Sequence, residues 1–218
     1  MNVKLMSASK LSNTVIAART CYNSFSDSRG NYENPTDEIT NEDLDLLTRL
    51  LFKNKHESVF EHLVYTFKIE GIPRFTLQEL ARHRIASYSV KSTRYCTSKE
   101  LRNEKPFTAD ESDLEDIIER AKKYLHFSNN PTVDMINIVQ LELLRKAIEK
   151  GIKSDDAKPL IPESFKTDLV WTVNLRSLRN FLKLRLSKSA HPEIRKMAEL
   201  VLNEIPEKHR FLVEDLEK

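Results

Sequence analysis

The stretch DLVWTVNLRSLRNFLKLR, residues 168–185, changes its hydrophobic pattern halfway along. Its first six residues are rich in β-branched and aromatic side chains, which is typical of a β-strand. Leu175, Leu178 and Leu182 then recur at the spacing of one helix face, which predicts a helix over residues 175–186. A strand followed directly by an amphipathic helix indicates an α/β fold.

Other parts of the chain extend this pattern in both directions. Residues 63–72, LVYTFKIEGI, alternate as a second strand does, and residues 3–6 predict a short one. Thr40 and Asp43 form a capping-box pattern at the start of a helix that ends near Asn54. Further helices are predicted over residues 11–21, 73–81, 111–125, 131–150, 192–204 and the tail from 206, whereas residues 22–37 predict a loop. The sequence therefore predicts one helix-rich, mixed α/β domain over residues 1–218.

The composition is that of a globular chain. Of the 218 residues, 39% are hydrophobic and 31% are charged, a balance that argues against disorder. The net charge of +2 does not indicate a nucleic-acid binder, and no run approaches the roughly 18 apolar residues of a membrane span.

Residues 1–20 lack the apolar core of a secretory signal. Cys21 and Cys96 fit no metal or CxxC spacing and could form at most one disulfide. We therefore expect a cytoplasmic protein that binds neither nucleic acid nor a membrane.

Glycine is scarce, with only Gly30, Gly71 and Gly151 in the chain. A GxGxxG motif and a Walker loop each need several glycines where the backbone approaches phosphate, so both are excluded. If the protein binds a dinucleotide, side chains must hold it.

The densest set of phosphate-binding side chains lies in residues 82–95, RHRIASYSVKSTRY. Before the final Tyr95, this segment carries five basic and five hydroxyl side chains. Guanidinium forks and hydroxyls bind phosphate through charge-assisted hydrogen bonds. Alternatively, residues 82–84 are cations at a helix C-terminus, where the helix dipole favours them. The dipole does not require the hydroxyl-rich loop that follows, so we interpret the segment as anion-binding.

Two further segments carry polar side chains that suit a ring or an anion. In residues 56–62, HESVFEH, the histidines are six apart rather than four as in a zincin helix, so no metal site is predicted. Arg176 and Asn180 share one helix face, where the Asn180 amide can both donate and accept hydrogen bonds. Taken alone, this helix is more typical of a solvated amphipathic helix than of a site. Nucleophilic catalysis is poorly supported, because no cysteine lies in a Pro-Cys-His setting and the sequence places no base beside Ser92.

Together, these segments resemble the signature of the flavin-dependent thymidylate synthases. The family pattern is RHR, seven residues and then Ser, which here corresponds to Arg82, His83, Arg84 and Ser92. Arg94 and Tyr95 follow at the expected positions. The resemblance extends upstream to residues 56–62 and downstream through residues 174–185, so it covers about residues 56–190 in the right order.

The resemblance implies an α/β homotetramer with an antiparallel-type sheet, which binds four FAD molecules and builds each active site from more than one chain. It implies that NADPH reduces the flavin and that methylenetetrahydrofolate supplies the carbon that converts dUMP to dTMP, with release of tetrahydrofolate. The residues implied to contact FAD are Ser58, Arg82, His83, Arg84, Asn174, Arg176 and Asn180. Those implied to contact dUMP are Arg82, Ser92, Arg94, Lys158 and Arg185. Arg185 is implied to favour ionisation of uracil N3, which makes C5 a better nucleophile.

Four positions depart from the commoner family pattern. Ser89 replaces Asn, Val90 replaces Glu, Glu79 replaces Gln, and Lys158 replaces Arg. Lysine keeps the charge but loses the planar fork, so its hold on a phosphate is less directional. Two alternatives stay open: a nucleic-acid-binding module that uses residues 82–95 on backbone phosphates, and a family member that keeps the fold without the activity.

Overall fold

The structure, a computed structural model, describes residues 1–24, 36–109 and 113–216. Most of the predicted loop over residues 22–37, including Gly30, therefore lies outside the described residues, as does the predicted helix start at residue 111. Within the described ranges the strands form a four-stranded antiparallel sheet in the order β1-β2-β4-β3. The strands are β1 (Asn2–Ala8), β2 (Val64–Pro73), β3 (Ala86–Val90) and β4 (Lys166–Asn174).

The helices confirm the helix-rich α/β prediction. They are α1 (Leu11–Tyr22), α2 (Asn41–Thr48), α3 (Arg74–Leu80), α4 (Thr93–Leu101), α5 (Leu114–Tyr124), α6 (Pro131–Glu149), α7 (Ser154–Ala157), α8 (Leu175–Arg185) and α9 (Pro192–Asn203). Helix α2 continues as a π-helical segment over Arg49–Asn54, which ends where the sequence predicts. Short 3₁₀ segments cover Glu57–His62, Lys158–Leu160, Glu207–Leu212 and Glu214–Leu216. The predicted helical tail from residue 206 is thus helical in 3₁₀ form.

Polar side chains set the starts of two helices. At the start of α2, the hydroxyl of Thr40 accepts a hydrogen bond from the backbone N–H of Asp43 at 3.2 Å. This bond satisfies an amide that has no partner within the helix, as a capping box does. At the start of α8, the Asn174 side-chain oxygen accepts from the N–H of Ser177 at 2.9 Å. Asn174 therefore fixes the point where β4 ends and α8 begins.

Two details of the prediction are wrong. Residues 82–95 are not one continuous loop, because β3 occupies Ala86–Val90 and α4 begins at Thr93. Pro73 is the last residue of β2 rather than part of the first turn of α3. The first amide groups of α3 are satisfied outside the helix, since the N–H groups of Arg74 and Phe75 donate to the carbonyls of Phe165 and Glu163.

Hydrogen bonds at three places fix the register of the sheet. The N–H of Ser9, just after β1, donates to the carbonyl of Val64 at 2.8 Å. The hydroxyls of Thr66 on β2 and Thr172 on β4 lie 3.0 Å apart. The N–H of Lys91, just after β3, donates to the carbonyl of Asp168 at 2.8 Å.

The described residues fall into two compact units, and each has its own buried apolar cluster. The first unit comprises Met1–Ile69, Ala81–Tyr88 and Val170–Lys218. Its largest buried side chains include Trp171, Phe67 and Phe181, and the ring centroid of Trp171 lies 5.0 Å from that of Phe181. That cluster holds β4 and α8 together. The prediction of one domain over residues 1–218 stays a prediction.

The second unit comprises Glu70–Leu80 and Ser89–Leu169. Its core joins α4, α5 and α6 through buried side chains that include Leu101, Ile117, Leu141 and Leu144. The carboxylate of Glu142 is also buried in this unit and accepts from Nε and Nη2 of Arg145 at 2.8 and 2.9 Å. It also accepts from the N–H of Phe107 at 2.9 Å. These hydrogen bonds offset the free-energy cost of removing the charged carboxylate of Glu142 from water.

None of the helices in the described part of the chain is long and apolar enough to cross a membrane.

Candidate active site

A cleft of about 240 Å³ in the first unit brings together five of the predicted site residues. The segment between α3 and β3 supplies one wall, and helix α8 supplies the other. The lining residues are Arg82, His83, Arg84, Ile85, Ser177, Asn180, Leu184 and Arg185. The RHR motif and the C-terminal end of α8, about 100 residues apart in the sequence, therefore form a single site.

His83 and Arg185 are joined directly across this cleft. Nε of Arg185 donates a hydrogen bond to Nε2 of His83 at 3.1 Å. A ring nitrogen that accepts a hydrogen bond carries no proton, so this contact requires the neutral imidazole with its proton on Nδ1. Burial lowers the pKa of His83, and the guanidinium groups of Arg185 and Arg82 lower it further. The electrostatics and the hydrogen bond thus favour the same protonation state.

Two aromatic contacts and a hydrogen bond hold His83 and the helix that faces it. The ring stands edge-on to Phe181, with centroids 5.1 Å apart and an interplanar angle of 81°. Phe181 in turn packs against the buried Trp171 of β4. The hydroxyl of Tyr88 on β3 donates to the backbone carbonyl of His83 at 2.5 Å. The imidazole is therefore positioned by the core of the unit as well as by Arg185.

The cleft combines exposed cations with exposed apolar surface. Arg82 and Arg84 are exposed, and among the described residues no carboxylate forms an ion pair with either of them. Next to them, Ile85 is 69% exposed and Leu184 is 54% exposed. A cavity with cationic donors beside apolar side chains suits a ligand that carries both an anionic group and a ring.

A wider groove of about 650 Å³ is also lined by Asn180. Its lining includes Arg176, whose Nη1 donates to Glu61 at 2.6 Å and whose Nε lies 3.5 Å from Glu57. Arg179 also lies there and forms a two-pronged ion pair with Asp215 at 2.7 Å. Asn180 is thus the one predicted FAD contact that lines both cavities.

Two other predicted FAD contacts lie in the same unit but outside both linings. Ser58 is exposed on the 3₁₀ segment Glu57–His62. Asn174 is engaged as the cap of α8, as described above. Their predicted contacts with FAD stay predictions.

The remaining predicted dUMP contacts belong to the second unit. Ser92 immediately precedes α4, and its side chain makes no capping hydrogen bond. Arg94 forms an ion pair with Asp155, with 3.1 Å between Nε and Oδ2. Its Cζ atom lies 5.6 Å from the ring centroid of the neighbouring Tyr95. Lys158 is exposed and follows α7 directly.

The apolar part of the cleft is only weakly marked in the sequence. Leu184 could have been identified, because it lies about 180° from Leu175 on the helix and so falls on the otherwise polar face of α8. Ile85 and Phe181 carry no such signal, because they act through Leu184 and His83, which are distant from them in sequence. The hydrogen bond of Tyr88 to the backbone of His83 is local, but no periodicity in the sequence marks it. Across the described ranges, no group of three or more His, Cys, Asp or Glu side chains is arranged to hold a metal ion.

Comparison with known proteins defines the class. The family model for thymidylate synthase complementing proteins matches residues 4–209. The chain is 49% identical over 212 residues to the flavin-dependent thymidylate synthase of Wolinella succinogenes, covering 97% of each chain. It is 44% identical over 214 residues to the flavin-dependent thymidylate synthase of Campylobacter jejuni, covering 98% of this chain and 96% of the relative.

A solved structure agrees with the sequence comparisons. The crystal structure of the flavin-dependent thymidylate synthase from Helicobacter pylori, complexed with FAD and dUMP, superposes with a TM-score of 0.87 at 39% identity over the full length of both chains. The chain therefore belongs to the flavin-dependent thymidylate synthase family of enzymes.

Proposed function

We propose that this chain binds FAD and converts dUMP to dTMP by reductive methylation. In the overall reaction, dUMP, methylenetetrahydrofolate, NADPH and a proton yield dTMP, tetrahydrofolate and NADP⁺. The bound flavin supplies the redox chemistry by taking a hydride from NADPH and passing reducing equivalents on. The observation that carries the proposal is the cleft in which the RHR motif meets Asn180 and Arg185. The structure with FAD and dUMP of a relative 39% identical to the chain supports the same choice of ligands.

The side chains of the cleft fit a flavin nucleotide. FAD combines a flat heterocycle with a diphosphate, and the cleft places exposed Ile85 and Leu184 beside the exposed guanidinium groups of Arg82 and Arg84. Apolar surface suits the ring, and the arginine forks suit the diphosphate oxygens. We propose that the following residues hold FAD: Ser58, Arg82, His83, Arg84, Asn174, Arg176 and Asn180. The carboxylate partners of Arg176, Glu61 and Glu57, compete with a phosphate for its guanidinium.

Arg185 is proposed to activate the pyrimidine. A guanidinium placed against the uracil ring stabilises the negative charge that develops when N3 loses its proton, and this charge makes C5 more nucleophilic. Arginine is suited to this task because it does not itself lose its proton near neutral pH. The bond from its Nε to His83 fixes the direction in which the guanidinium points.

The dUMP phosphate is proposed to bind cations and a hydroxyl. The residues proposed to contact dUMP are Arg82, Ser92, Arg94, Lys158 and Arg185. No covalent enzyme nucleophile is proposed. Cys21 is an exposed free thiol and Cys96 a half-buried one, and neither lies in a Pro-Cys-His sequence.

The proposed assembly rests on the family resemblance, and the expected location rests on the composition of the chain. We propose a homotetramer in which each active site draws residues from more than one chain. The cytoplasmic location stays a prediction.

The test is a turnover assay on the purified chain and its Arg185→Ala variant. The wild-type protein is expected to show flavin absorbance near 450 nm, a general flavin property, and to form dTMP from dUMP, methylenetetrahydrofolate and NADPH. Arg185→Ala is expected to keep its flavin and lose most dTMP formation. A yellow protein that binds dUMP without forming dTMP would show a family member lacking the activity. A colourless protein that binds nucleic acid would favour the binding-module alternative.

A further inference from the structure

A third cavity, of about 390 Å³, lies in the second unit beside Arg94. Three cations line it: Arg94, Arg102 and Lys153. The hydroxyl residues Ser98 and Ser154 line it too, and Asp155 is the one carboxylate of the described lining. Cations and hydroxyls together make a site for a phosphate, and a single carboxylate among them opposes such a ligand.

That carboxylate is already in contact with the arginine proposed to hold the phosphate. Oδ2 of Asp155, on the first turn of α7, lies 3.1 Å from Nε of Arg94. Nε is one of the nitrogens that a guanidinium uses in a two-pronged contact with an oxyanion. A phosphate that takes a two-pronged hold through this edge must therefore first separate Arg94 from Asp155.

The pair is weak enough to be displaced. The side chains of Arg94 and Asp155 are 62% and 57% exposed, so water screens their attraction. An ion pair this exposed changes an equilibrium constant, such as that of ligand binding, by no more than about fivefold. A doubly charged phosphate competes well against one exposed carboxylate, because it offers more acceptor oxygens and more charge.

We propose that Asp155 is an internal competitor of the nucleotide phosphate: it occupies Arg94 when no nucleotide is bound, and it thereby sets the affinity of the site for phosphate-bearing ligands. This inference rests on the proposed function, because it takes dUMP as the ligand of Arg94. It assigns Asp155 a positioning role through Arg94 and no direct contact with the substrate.

The test compares Asp155→Asn with Asp156→Asn in the full-length, FAD-loaded protein. Asp156 is the matched control, because it is the exposed next residue of α7 and forms no ion pair within the described residues. Both variants remove one negative charge from the same helix turn, but only Asp155→Asn releases Arg94. Dissociation constants are measured by calorimetry for dUMP and for deoxyuridine, which has the same base and sugar without the phosphate.

Asp155→Asn is expected to bind dUMP about two- to fivefold more tightly than the wild type. Its affinity for deoxyuridine is expected to be unchanged, and Asp156→Asn is expected to shift dUMP binding by clearly less. The gain is expected to shrink as salt is added, because screening weakens the pair in the wild type. Equal shifts in the two variants, or weaker dUMP binding in Asp155→Asn, would overturn the proposal.

A titration with inorganic phosphate tests the role of Asp155 independently of the nucleotide. Its dissociation constant is measured by the same titration in the absence of nucleotide, and Asp155→Asn is again expected to bind it about two- to fivefold more tightly. If the wild type binds neither dUMP nor deoxyuridine, the proposed function fails. The titration with inorganic phosphate then tests Asp155 separately. An affinity for phosphate that is the same in Asp155→Asn as in the wild type rejects the proposed role of Asp155.

Discussion

At the scale of single residues, the arginines that line the cleft and the groove differ in their partners. Arg176 and Arg179 are held by carboxylates, whereas Arg82 and Arg84 form no ion pair within the described residues. A carboxylate partner competes with an incoming anion for a guanidinium, and an unpaired guanidinium has no such competitor. Among the arginines that line the cleft and the groove, Arg82 and Arg84 are therefore the best prepared for a phosphate.

The charge and the hydrogen bonding of the cleft depend on pH through His83. The imidazole accepts the hydrogen bond from Arg185 only while Nε2 is unprotonated. Because burial, Arg185 and Arg82 lower the pKa of His83, protonation occurs below the ordinary value of about 6.5. As the pH falls through that lowered value, the bond to Arg185 is lost and an additional positive charge appears beside two arginines.

We predict that this protonation produces an acidic limb in the pH profile of kcat. Below the pKa of His83, kcat should fall up to about tenfold per pH unit. In His83→Gln, the amide oxygen can accept from Arg185 without titrating, so this limb should disappear, although the overall rate will be lower. The measurement is kcat against pH for both proteins, with flavin absorbance recorded at each pH. Identical acidic limbs in the two proteins would contradict the role of His83.

At the scale of elements, the sequence predicted best those helices and strands whose own pattern carries the signal. Strand β4 alternates between buried and half-buried side chains, and Thr167, Leu169, Trp171 and Val173 are the buried ones. Helix α8 buries Leu175, Leu178, Phe181 and Leu182, which include the leucine stripe seen in the sequence. These two elements carry Asn174, Asn180 and Arg185, so that part of the candidate site could be placed from the sequence.

Strand β3 and helix α4 were missed for physical reasons. Strand β3 lies at the end of the sheet order, and none of its five residues is buried, so it shows no apolar alternation. It is a strand because it pairs with β4, which is distant in sequence. Helix α4 buries only Thr97 and Leu101, and Ser92 before it makes no capping bond. Tertiary contacts, which a local pattern does not contain, determine both elements.

The cap of α8 gives a prediction at this scale. Asn174→Ala removes the acceptor for the Ser177 N–H and should lower the free energy of unfolding by about 1 kcal/mol. Asn174→Asp keeps the acceptor and should stay close to wild-type stability, because a carboxylate is also favoured at a helix N-terminus. Urea denaturation of the three proteins measures the difference. An Asn174→Ala protein as stable as the wild type would show that the cap contributes nothing.

At the scale of the whole molecule, a buried polar network in the first unit connects segments from across the chain. The ring of His209 lies between the hydroxyl of Tyr65 on β2, 3.0 Å from Nδ1, and the carboxylate of Asp37, 3.1 Å from Nε2. Asp37 also accepts from Lys10 at 2.9 Å and from the N–H of Leu11 at 3.1 Å. The network therefore ties the C-terminal part of the chain to the start of α1.

This network makes the stability of the fold dependent on pH. Burial lowers the pKa of His209, although the hydrogen bond and the charge of Asp37 oppose the shift. A histidine whose pKa is lower in the folded state contributes stability that is present above its ordinary value of about 6.5 and is lost as the pH falls through the folded value. The pKa of Asp37 is lowered as well: burial raises it, but hydrogen bonds from Lys10, His209 and Leu11 outweigh that effect. Its contribution is lost only below its ordinary value of 3.8.

We therefore predict a free energy of unfolding that decreases from pH 7.5 to 5.5, before the carboxylates titrate. Urea denaturation of the wild type across this range measures it directly. His209→Gln should be less stable at pH 7.5 and should show a shallower decrease, because one of the shifted histidines is gone. A wild-type stability that stays constant over these two pH units would contradict the assignment.

The central claim is that side chains rather than a glycine-rich loop hold a flavin and a pyrimidine monophosphate. The residues proposed for this lie in both compact units, and their joint contact with one nucleotide stays a prediction. The most direct measurement is a crystal structure of this chain, in its own assembly, with FAD and dUMP bound. We predict Arg82, His83, Arg84 and Asn180 against FAD, and Ser92, Arg94 and Arg185 against dUMP. Ligands bound away from these residues in every subunit of the assembly would contradict the account.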